Sequence, residues 1–384
     1  MDRSRRAFIG GAAAAAGLSL VPRTALAAAS RDKTYGVIEI RASAMSVASY
    51  TLDLDSISRS VRRSGFDRMA PDLTGAPFPE SERASPLGPA AADTPVSQAV
   101  DTVAGYVDGL KARHDLQSED VAVLISTSAV DASPERTAQF TADLLAKTGI
   151  QADVISIHEQ SRLAYDWIVA PMHRNRVLHF DISAGFTKGG YYASRDRNAQ
   201  FTDLAVGYGT KSMEGEVKRR WPEVRTADFG QRASEFYRDT IEPLLAPQLA
   251  AAPLAAQLPE LCLTGGIVWA STVIIHPQAI ARGEKWVELA PDHFAKLLAL
   301  IANGTPYGGQ LPEDLNRIER ERVHDLLEHV RKAYNPHQLS AGAAIGDGLC
   351  RQLHASERER LSFAGLSSFA GNVWVGQYLL EKFG

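Results

Sequence analysis

The chain has 384 residues, of which 45 are acidic and 41 are Lys or Arg, and its formal net charge at pH 7 is −4. This length can bury a large core and normally divides into two domains. The acidic balance and the lack of a basic run in the sequence argue against a sequence-independent nucleic-acid-binding protein. Beyond the N-terminal segment no stretch is apolar enough to span a membrane. Cys262 and Cys350 are expected to be two buried free thiols, with a disulfide bridge as the alternative.

The N-terminal segment predicts export by the twin-arginine route. Arg5 and Arg6 precede an apolar run from Phe8 to Val21, and Ala25-Leu26-Ala27 supplies the small residues that a signal peptidase requires. The apolar run is too short to be a permanent membrane helix. Residues 1–29 are therefore predicted to be a twin-arginine signal peptide and the mature protein to be periplasmic, with a retained basic tail as the alternative.

The first part of the chain begins with a strand pair. Residues 35–43 are largely apolar and residues 45–54 alternate apolar and polar side chains, which predicts a buried strand and its hairpin partner. Residues 71–95 are rich in Pro, Ala, Ser and Gly and are expected to form a surface loop or an ordered excursion outside the core. The elements predicted next are a helix at 96–113, a strand at 121–126, a helix at about 134–147 that ends at Gly149, and a strand at 152–157.

The same order of elements begins again after residue 176. The predicted elements are strands at 177–182, 187–193, 200–205 and 260–264, a turn at Gly265-Gly266, and helices at 210–220, 227–245, from about 268, and at 291–302, 314–333, 340–353 and 366–383. Because a strand, a hairpin, and a strand with its helix occur twice in the same order, the sequence predicts two α/β domains that face a cleft.

Short motifs lie at the ends of these predicted strands. They are Ser126-Thr127-Ser128-Ala129-Val130-Asp131, Ile157-His158-Glu159-Gln160-Ser161-Arg162-Leu163, Phe180-Asp181-Ile182-Ser183-Ala184-Gly185, Leu263-Thr264-Gly265-Gly266 and Ser340-Ala341-Gly342. In this order and spacing, over about residues 35–353, the chain resembles the exopolyphosphatase and guanosine pentaphosphate phosphohydrolase (Ppx/GppA) family.

The resemblance implies an α/β fold of the actin, sugar-kinase and heat-shock ATPase superfold, with two domains and an interdomain cleft. The first actin-like domain is expected at 30–158 and the second at 159–355. Residues 356–384 are expected to form a C-terminal helix that packs back on the first domain.

The resemblance also implies that a phosphate chain binds between two hairpin loops. In such loops small residues let backbone N–H groups reach phosphate oxygens, and carboxylates hold Mg²⁺. The implied metal ligands are Glu39 and Asp181, and the implied phosphate-binding residues are Arg41, Ser43, Arg162, Ser183, Gly185, Thr187, Gly265 and Gly266. On their own, the Asp181 and Gly265-Gly266 positions are also common in structural turns.

Both loops depart from the family pattern. Arg41 stands where the family has a glycine, so it either binds phosphate or fills the site. Lys188 stands where the family's second loop ends in glutamate, and an ammonium in place of a carboxylate should weaken metal binding.

The expected general base is changed as well. The family carries paired glutamates before Ala-Arg-Leu, and the base is expected on the second, which here is Gln160. An amide takes up no proton near neutral pH, which leaves Glu159 and His158 as candidate catalytic residues. Adjacent helix side chains point about 100° apart, so Glu159 would need a rotated helix start.

Two functions therefore stay open after the sequence analysis. One is Mg²⁺-assisted hydrolysis of polyphosphate or a related phosphate chain. The other is an inactive periplasmic relative that binds an anion or a protein. The resemblance leaves open whether the protein is a homodimer.

Overall fold

The computed structural model describes residues 32–41, 44–53, 60–66, 82–87, 93–196, 198–284, 286–308, 311, 313–364 and 373–383. The predicted signal peptide and Ser43 lie outside these residues. The strands are β1 Lys33–Ile40, β2 Ala44–Asp53, β3 Ser60–Phe66, β4 Glu82–Ala84, β5 Val121–Ser126, β6 Ala152–Ile155, β7 Val177–Ile182, β8 Thr187–Tyr192, β9 Phe201–Val206, β10 Glu260–Thr264, β11 Trp286–Glu288 and β12 Arg360–Ala364.

Helices connect these strands and cover the sheets. The α-helices are α1 Val96–His114, α2 Thr127–Ala132, α3 Pro134–Thr148, α4 Ile157–Ile168, α5 Thr210–Arg220, α6 Thr226–Phe236, α7 Glu242–Ala251, α8 Gly266–Ile275, α9 Pro277–Ala281, α10 His293–Ala302, α11 Arg317–Ala333, α12 Pro336–Gln352 and α13 Val373–Phe383.

The strands form two sheets with the same layout. In the first, the order is β3-β2-β1-β5-β6, with β4 paired to β2. In the second, the order is β11-β12-β10-β7-β8-β9. Each sheet contains three consecutive antiparallel strands, β1-β2-β3 in the first and β7-β8-β9 in the second. The first of these three strands also pairs in parallel with a later strand, β1 with β5 and β7 with β10. The repeated α/β pattern predicted from the sequence is therefore confirmed.

The two faces of the first sheet pack differently. Ile38 and Val123 lie in a cluster with residues of α1 and α3. Val37 and Leu124 lie in a larger cluster that continues into the second sheet, and α4 contacts both α13 and strands β7, β8 and β9. Successive strand side chains point to opposite faces. Glu39 therefore lies on the Val37 face, the one that is continuous with the second sheet.

Several local predictions differ from the structure. The segment 71–95, predicted as a surface loop or an ordered excursion, contains β4, and the C-terminal third, predicted as mostly helical, contains β11 and β12. The helix predicted at 227–245 is α6, a π-helical segment at Tyr237–Ile241, and α7. The helix predicted from 340 begins at Pro336, because the Asn335 side chain accepts a hydrogen bond from the Gln338 N–H and caps it.

The C-terminal segment joins both parts of the fold. β12 pairs with β10 in the second sheet, whereas α13 contacts α4, β2 and β3. Phe383 of α13 stacks on Tyr35 of β1, with ring centroids 4.2 Å apart. Residues 356–384 thus contain a strand of the second sheet as well as a helix against the first.

Cys262 and Cys350 are buried free thiols, as predicted. Burial raises the pKa of each to about 12. None of the helices among the residues described is both long and apolar enough to cross a membrane.

Candidate functional site

The first hairpin places Glu39 at the carboxyl end of β1. Glu39 is 2% exposed and pairs across the hairpin with Ser46, whose hydroxyl donates to Glu39 Oε2 at 3.2 Å. The Arg41 Nε lies 3.8 Å from Glu39 Oε1, and the Arg41 side chain is 24% exposed. The Glu39 carboxylate therefore meets a hydroxyl and a guanidinium of its own hairpin.

The second hairpin places Asp181 near the carboxyl end of β7. Asp181 is directly opposite Lys188 of β8 in the strand register, and Lys188 Nζ lies 2.8 Å from Asp181 Oδ2. Both side chains are buried. The result is a buried ion pair that spans the two strands of the hairpin.

The loop between β7 and β8 is folded onto the start of α5. The backbone N–H groups of Thr210 and Lys211 donate to the carbonyl oxygens of Ser183 and Ala184 at 3.0 and 2.8 Å. A Cβ at Gly209 would lie 2.2 Å from the Ser183 carbonyl oxygen. Glycine is therefore needed at 209 for this close approach, and the first N–H groups of α5 are used by the loop.

The hydroxyls of the second hairpin also have partners within the chain. Ser183 Oγ donates to the Phe186 carbonyl oxygen at 2.9 Å, and Thr187 Oγ1 donates to the Tyr208 carbonyl oxygen at 2.8 Å. A Cβ at Gly185 would meet nothing within 4 Å, so packing alone does not require glycine there.

The Gly265-Gly266 turn brings the start of α8 against β7. Gly265 has a φ of +104°, and a Cβ added at this position would lie 2.6 Å from Asp181 Oδ1 and 2.3 Å from the Ile182 carbonyl oxygen. A Cβ at Gly266 would lie 2.1 Å from the phenol oxygen of Tyr334. The structure thus brings Asp181 and Gly265 together, as the motif order predicts.

Gln160 is fixed at the start of α4. The residue is 5% exposed, and its amide nitrogen donates to Ser126 Oγ at 3.0 Å and to the Ile155 carbonyl oxygen at 3.2 Å. Ser126 and Ile155 end two neighbouring parallel strands, β5 and β6. The amide therefore ties α4 to the edge of the first sheet.

Glu159 and Arg162 lie in an ion-pair network with α13. Arg162 donates to both carboxylate oxygens of Glu159, at 3.1 and 2.6 Å, and to Asp166 and Glu381 at 3.0 and 2.7 Å. The hydrogen bonds that Arg162 donates to Glu159 and Glu381 raise the pKa of Arg162. Burial alone would raise the pKa of Glu381, but hydrogen bonds from Arg162 and Gln377 lower it.

His158 has a different surrounding. Its Nδ1 lies 2.9 Å from Asp203 Oδ1, and both side chains are more than 40% exposed. The imidazole also meets the Phe201 ring edge-on, with centroids 6.1 Å apart. His158 is therefore paired with a residue of β9 and not with Gln160.

No protein-family model and no curated protein matches the sequence. Solved structures do match it. An exopolyphosphatase from Cytophaga hutchinsonii is similar with a TM-score of 0.54 and 14% identity, over 91% of this chain and 97% of that one. A Ppx/GppA family member from Aquifex aeolicus is similar with a TM-score of 0.56 and 11% identity, over 92% of this chain and 99% of that one. The chain has the Ppx/GppA fold. The actin-like, two-sheet α/β architecture expected from the motifs is thereby confirmed.

The Ppx/GppA resemblance implies Mg²⁺ near Glu39 and Asp181, and these residues do not fit such an ion. Asp181 Oδ2 is held by an ammonium, Oδ1 lies against the Gly265 backbone, and Glu39 meets Ser46 and Arg41. Among the residues that the structure describes, no group of three or more His, Cys, Asp or Glu side chains is placed to hold a metal ion.

His179 is a buried polar residue beside the candidate site that the sequence motifs do not single out. This residue precedes Asp181 on the same face of β7, is completely buried, and its Nε2 lies 2.8 Å from Thr264 Oγ1 of β10. Burial lowers the pKa of His179 to about 4, so the ring is neutral near pH 7. The only signal in the sequence is a histidine inside the apolar strand Val177–Ile182.

Proposed function

We propose that this chain binds a phosphate chain and does not hydrolyse it. The observation that carries this is the Gln160 amide. A hydrolase needs a group that accepts the proton of the attacking water, and Gln160 stands where the resemblance places that group. Its nitrogen donates to Ser126 and Ile155, so it holds the helix to the sheet.

The two substitutes for Gln160 are engaged elsewhere. Both Glu159 carboxylate oxygens accept hydrogen bonds from Arg162, and the His158 imidazole is paired with Asp203. A general base has to lie within hydrogen-bond reach of the water and be free to take its proton. The two hydrogen bonds from Arg162 therefore favour a structural role for Glu159. His158 pairs through Nδ1 with Asp203 of β9, which is not one of the predicted site residues.

The ligand class is supported by the fold and by one cation. Exopolyphosphatases are among the solved structures with this fold. The partly exposed guanidinium of Arg41 lies at the end of the first hairpin, and arginine binds phosphate oxygens through paired hydrogen bonds. Long-chain polyphosphate is the ligand that we propose, and the N-terminal sequence supports a periplasmic location reached by the twin-arginine route.

The test measures binding and hydrolysis separately on the purified protein. Titration with long-chain polyphosphate gives the binding constant by calorimetry, and incubation with the same polymer and Mg²⁺ gives the rate of phosphate release. Binding without release above a protein-free blank supports the proposal. Steady release at a rate proportional to the protein concentration would refute it.

A variant pair tests whether Arg41 contacts the polymer. Arg41→Gln should weaken polyphosphate binding by about tenfold to a hundredfold, because one charge-assisted pair is worth roughly 1.5–3 kcal/mol. The control is Arg232→Gln on α6, whose side chain pairs with Glu235 on the surface and should leave binding unchanged. Equal affinities of both variants for polyphosphate would show that Arg41 does not contact the polymer.

A further inference from the structure

We propose that Lys188 takes the place of a divalent cation at Asp181, so that neither Mg²⁺ nor Mn²⁺ binds at the second hairpin. The Asp181–Lys188 pair forms within the chain and does not depend on whether a phosphate chain binds. A consequence that does rest on the proposed function is that polyphosphate binding needs no metal.

The ion pair follows from the hairpin register. Asp181 and Lys188 are directly opposite each other on β7 and β8, so their side chains leave the same face of the sheet. Lys188 Nζ lies 2.8 Å from Asp181 Oδ2, and the two side chains are 6% and 8% exposed. The register therefore delivers the ammonium to the carboxylate without any contribution from a ligand.

Little room is left on the other carboxylate oxygen. A Cβ on Gly265 would lie only 2.6 Å from Asp181 Oδ1, so the backbone at the start of α8 packs directly against that oxygen. Mg²⁺ takes six oxygen ligands in near-ideal octahedral geometry at about 2.1 Å and usually keeps several waters. A buried carboxylate with an ammonium on one oxygen and a packed backbone on the other does not provide that shell.

An ammonium and a divalent ion exclude each other at one carboxylate. Both would lie within about 3 Å of the same oxygen, and in a buried site the repulsion between them is poorly screened. A buried carboxylate also has to keep one counter-charge, because an unpaired buried charge is strongly destabilising. Removing the ammonium should therefore create a demand for another cation.

The first hairpin shows a related arrangement. The Arg41 Nε lies 3.8 Å from Oε1 of the buried Glu39 carboxylate. Arg41 follows Glu39 by two residues in the chain, whereas Lys188 lies opposite Asp181 on the neighbouring strand. Each of the two carboxylates that the family resemblance implies as metal ligands, Glu39 and Asp181, thus has a cationic side chain of its own hairpin beside it.

The experiment compares metal responses of Lys188 variants. Lys188→Met removes the charge and keeps much of the side-chain length, and Lys188→Met with Asp181→Asn removes both charges. The control is Lys147→Met, which breaks a surface pair with Asp101. For each protein, Mn²⁺ binding is measured by calorimetry, and the thermal midpoint is measured in EDTA and in millimolar Mn²⁺.

The wild-type protein and the Lys147→Met variant should show no saturable Mn²⁺ site and the same midpoint with and without metal. Lys188→Met should melt lower in EDTA, bind about one Mn²⁺ per chain, and recover part of its midpoint with Mn²⁺. The double variant should fold without metal and show no response. If Lys188→Met folds only with Mn²⁺ present, that result also supports the proposal.

Two results would overturn the inference: a saturable Mn²⁺ site on the wild-type protein that Asp181→Asn removes, or a Lys188→Met protein with no Mn²⁺ response in folding or binding. The polyphosphate titration repeated in EDTA separates this inference from the proposed function. If polyphosphate binds in the presence of metal but not in EDTA, the binding depends on a metal ion, and the proposal that polyphosphate is the ligand is still supported. No binding under either condition contradicts the phosphate ligand and leaves the cation result standing.

Discussion

Replacing Gln160 by glutamate is expected to destabilise the fold, although it restores the residue type that the Ppx/GppA family carries. The variant loses two donated hydrogen bonds, to Ser126 Oγ and to the Ile155 carbonyl oxygen, each worth about 1 kcal/mol net. It also points a buried carboxylate at the Ile155 carbonyl oxygen, which adds about 1–3 kcal/mol for unsatisfied acceptors. The free energy of unfolding should therefore fall by about 3–5 kcal/mol at pH 8.

The loss should depend on pH in a direction that identifies its cause. In the folded Gln160→Glu variant, burial and the facing carbonyl raise the pKa of the introduced carboxyl above its unfolded value of about 4.3. Below that value the group is protonated in both states and its O–H can still donate once, so the variant is closest to the wild type. The deficit grows as pH rises through about 4.3 and levels off above the raised folded pKa.

Urea denaturation of both proteins at pH 5 and pH 8 measures these differences. The control is Gln257→Glu, an exposed position, which should change the free energy of unfolding by no more than about 0.5 kcal/mol at either pH. A Gln160→Glu protein as stable as the wild type at pH 8 would refute the structural role of the amide.

Three further predictions concern the site and its compartment. Gly265→Ala should lower the free energy of unfolding by about 3 kcal/mol or more, since φ is +104° and a Cβ would strike the Ile182 carbonyl oxygen. The control Gly207→Ala should lower it far less, because a Cβ there meets nothing within 4 Å. Equal losses for the two variants would contradict a steric requirement for glycine at 265. Arg162→Ala should speed hydrogen exchange in α13, because it removes the ion pair that joins α4 to that helix, and unchanged exchange would count against the pair. Arg5→Lys with Arg6→Lys should leave the protein in the cytoplasm, as measured by cell fractionation, and recovery from the periplasm would contradict twin-arginine export.

The sequence predicted the strands that have strong local patterns and missed those that depend on a partner. The hairpin of β1 and β2 and the apolar runs of β5, β7 and β10 can be recognised from side-chain pattern alone. β11 has only three residues, Trp286–Glu288, and pairs only with β12 along the sheet path. β12 has five, Arg360–Ala364, and forms beside β10. β12 forms on the edge of β10 and β11 forms on the edge of β12, and no local pattern reveals such edges.

The site could be predicted in part for the same physical reason. The carboxyl ends of parallel strands meet at one edge of a sheet, so motif order was sufficient to bring Asp181 and Gly265 together. The Asp181–Lys188 pair had a usable signal as well, since Ile182 and Thr187 flank a four-residue loop and Asp181 and Lys188 form the next cross-strand pair. The partners of Gln160 could not be predicted, because Ser126 lies 34 residues away on another strand.

The candidate site is stable because its polar groups are paired with one another, and that is also why one reversion should not restore hydrolysis. A catalytic carboxylate has to exchange partners during the reaction, first with a metal or water and then with a proton. Here Asp181 is held by Lys188, Glu159 by Arg162, and the Gln160 amide holds α4 to the sheet. The Gln160→Glu substitution supplies a carboxylate but leaves the Lys188 ammonium on Asp181. The Lys188→Met substitution removes the ammonium but leaves no base at position 160. Hydrolysis would therefore require changes at both positions together, in a fold that first has to tolerate each of them.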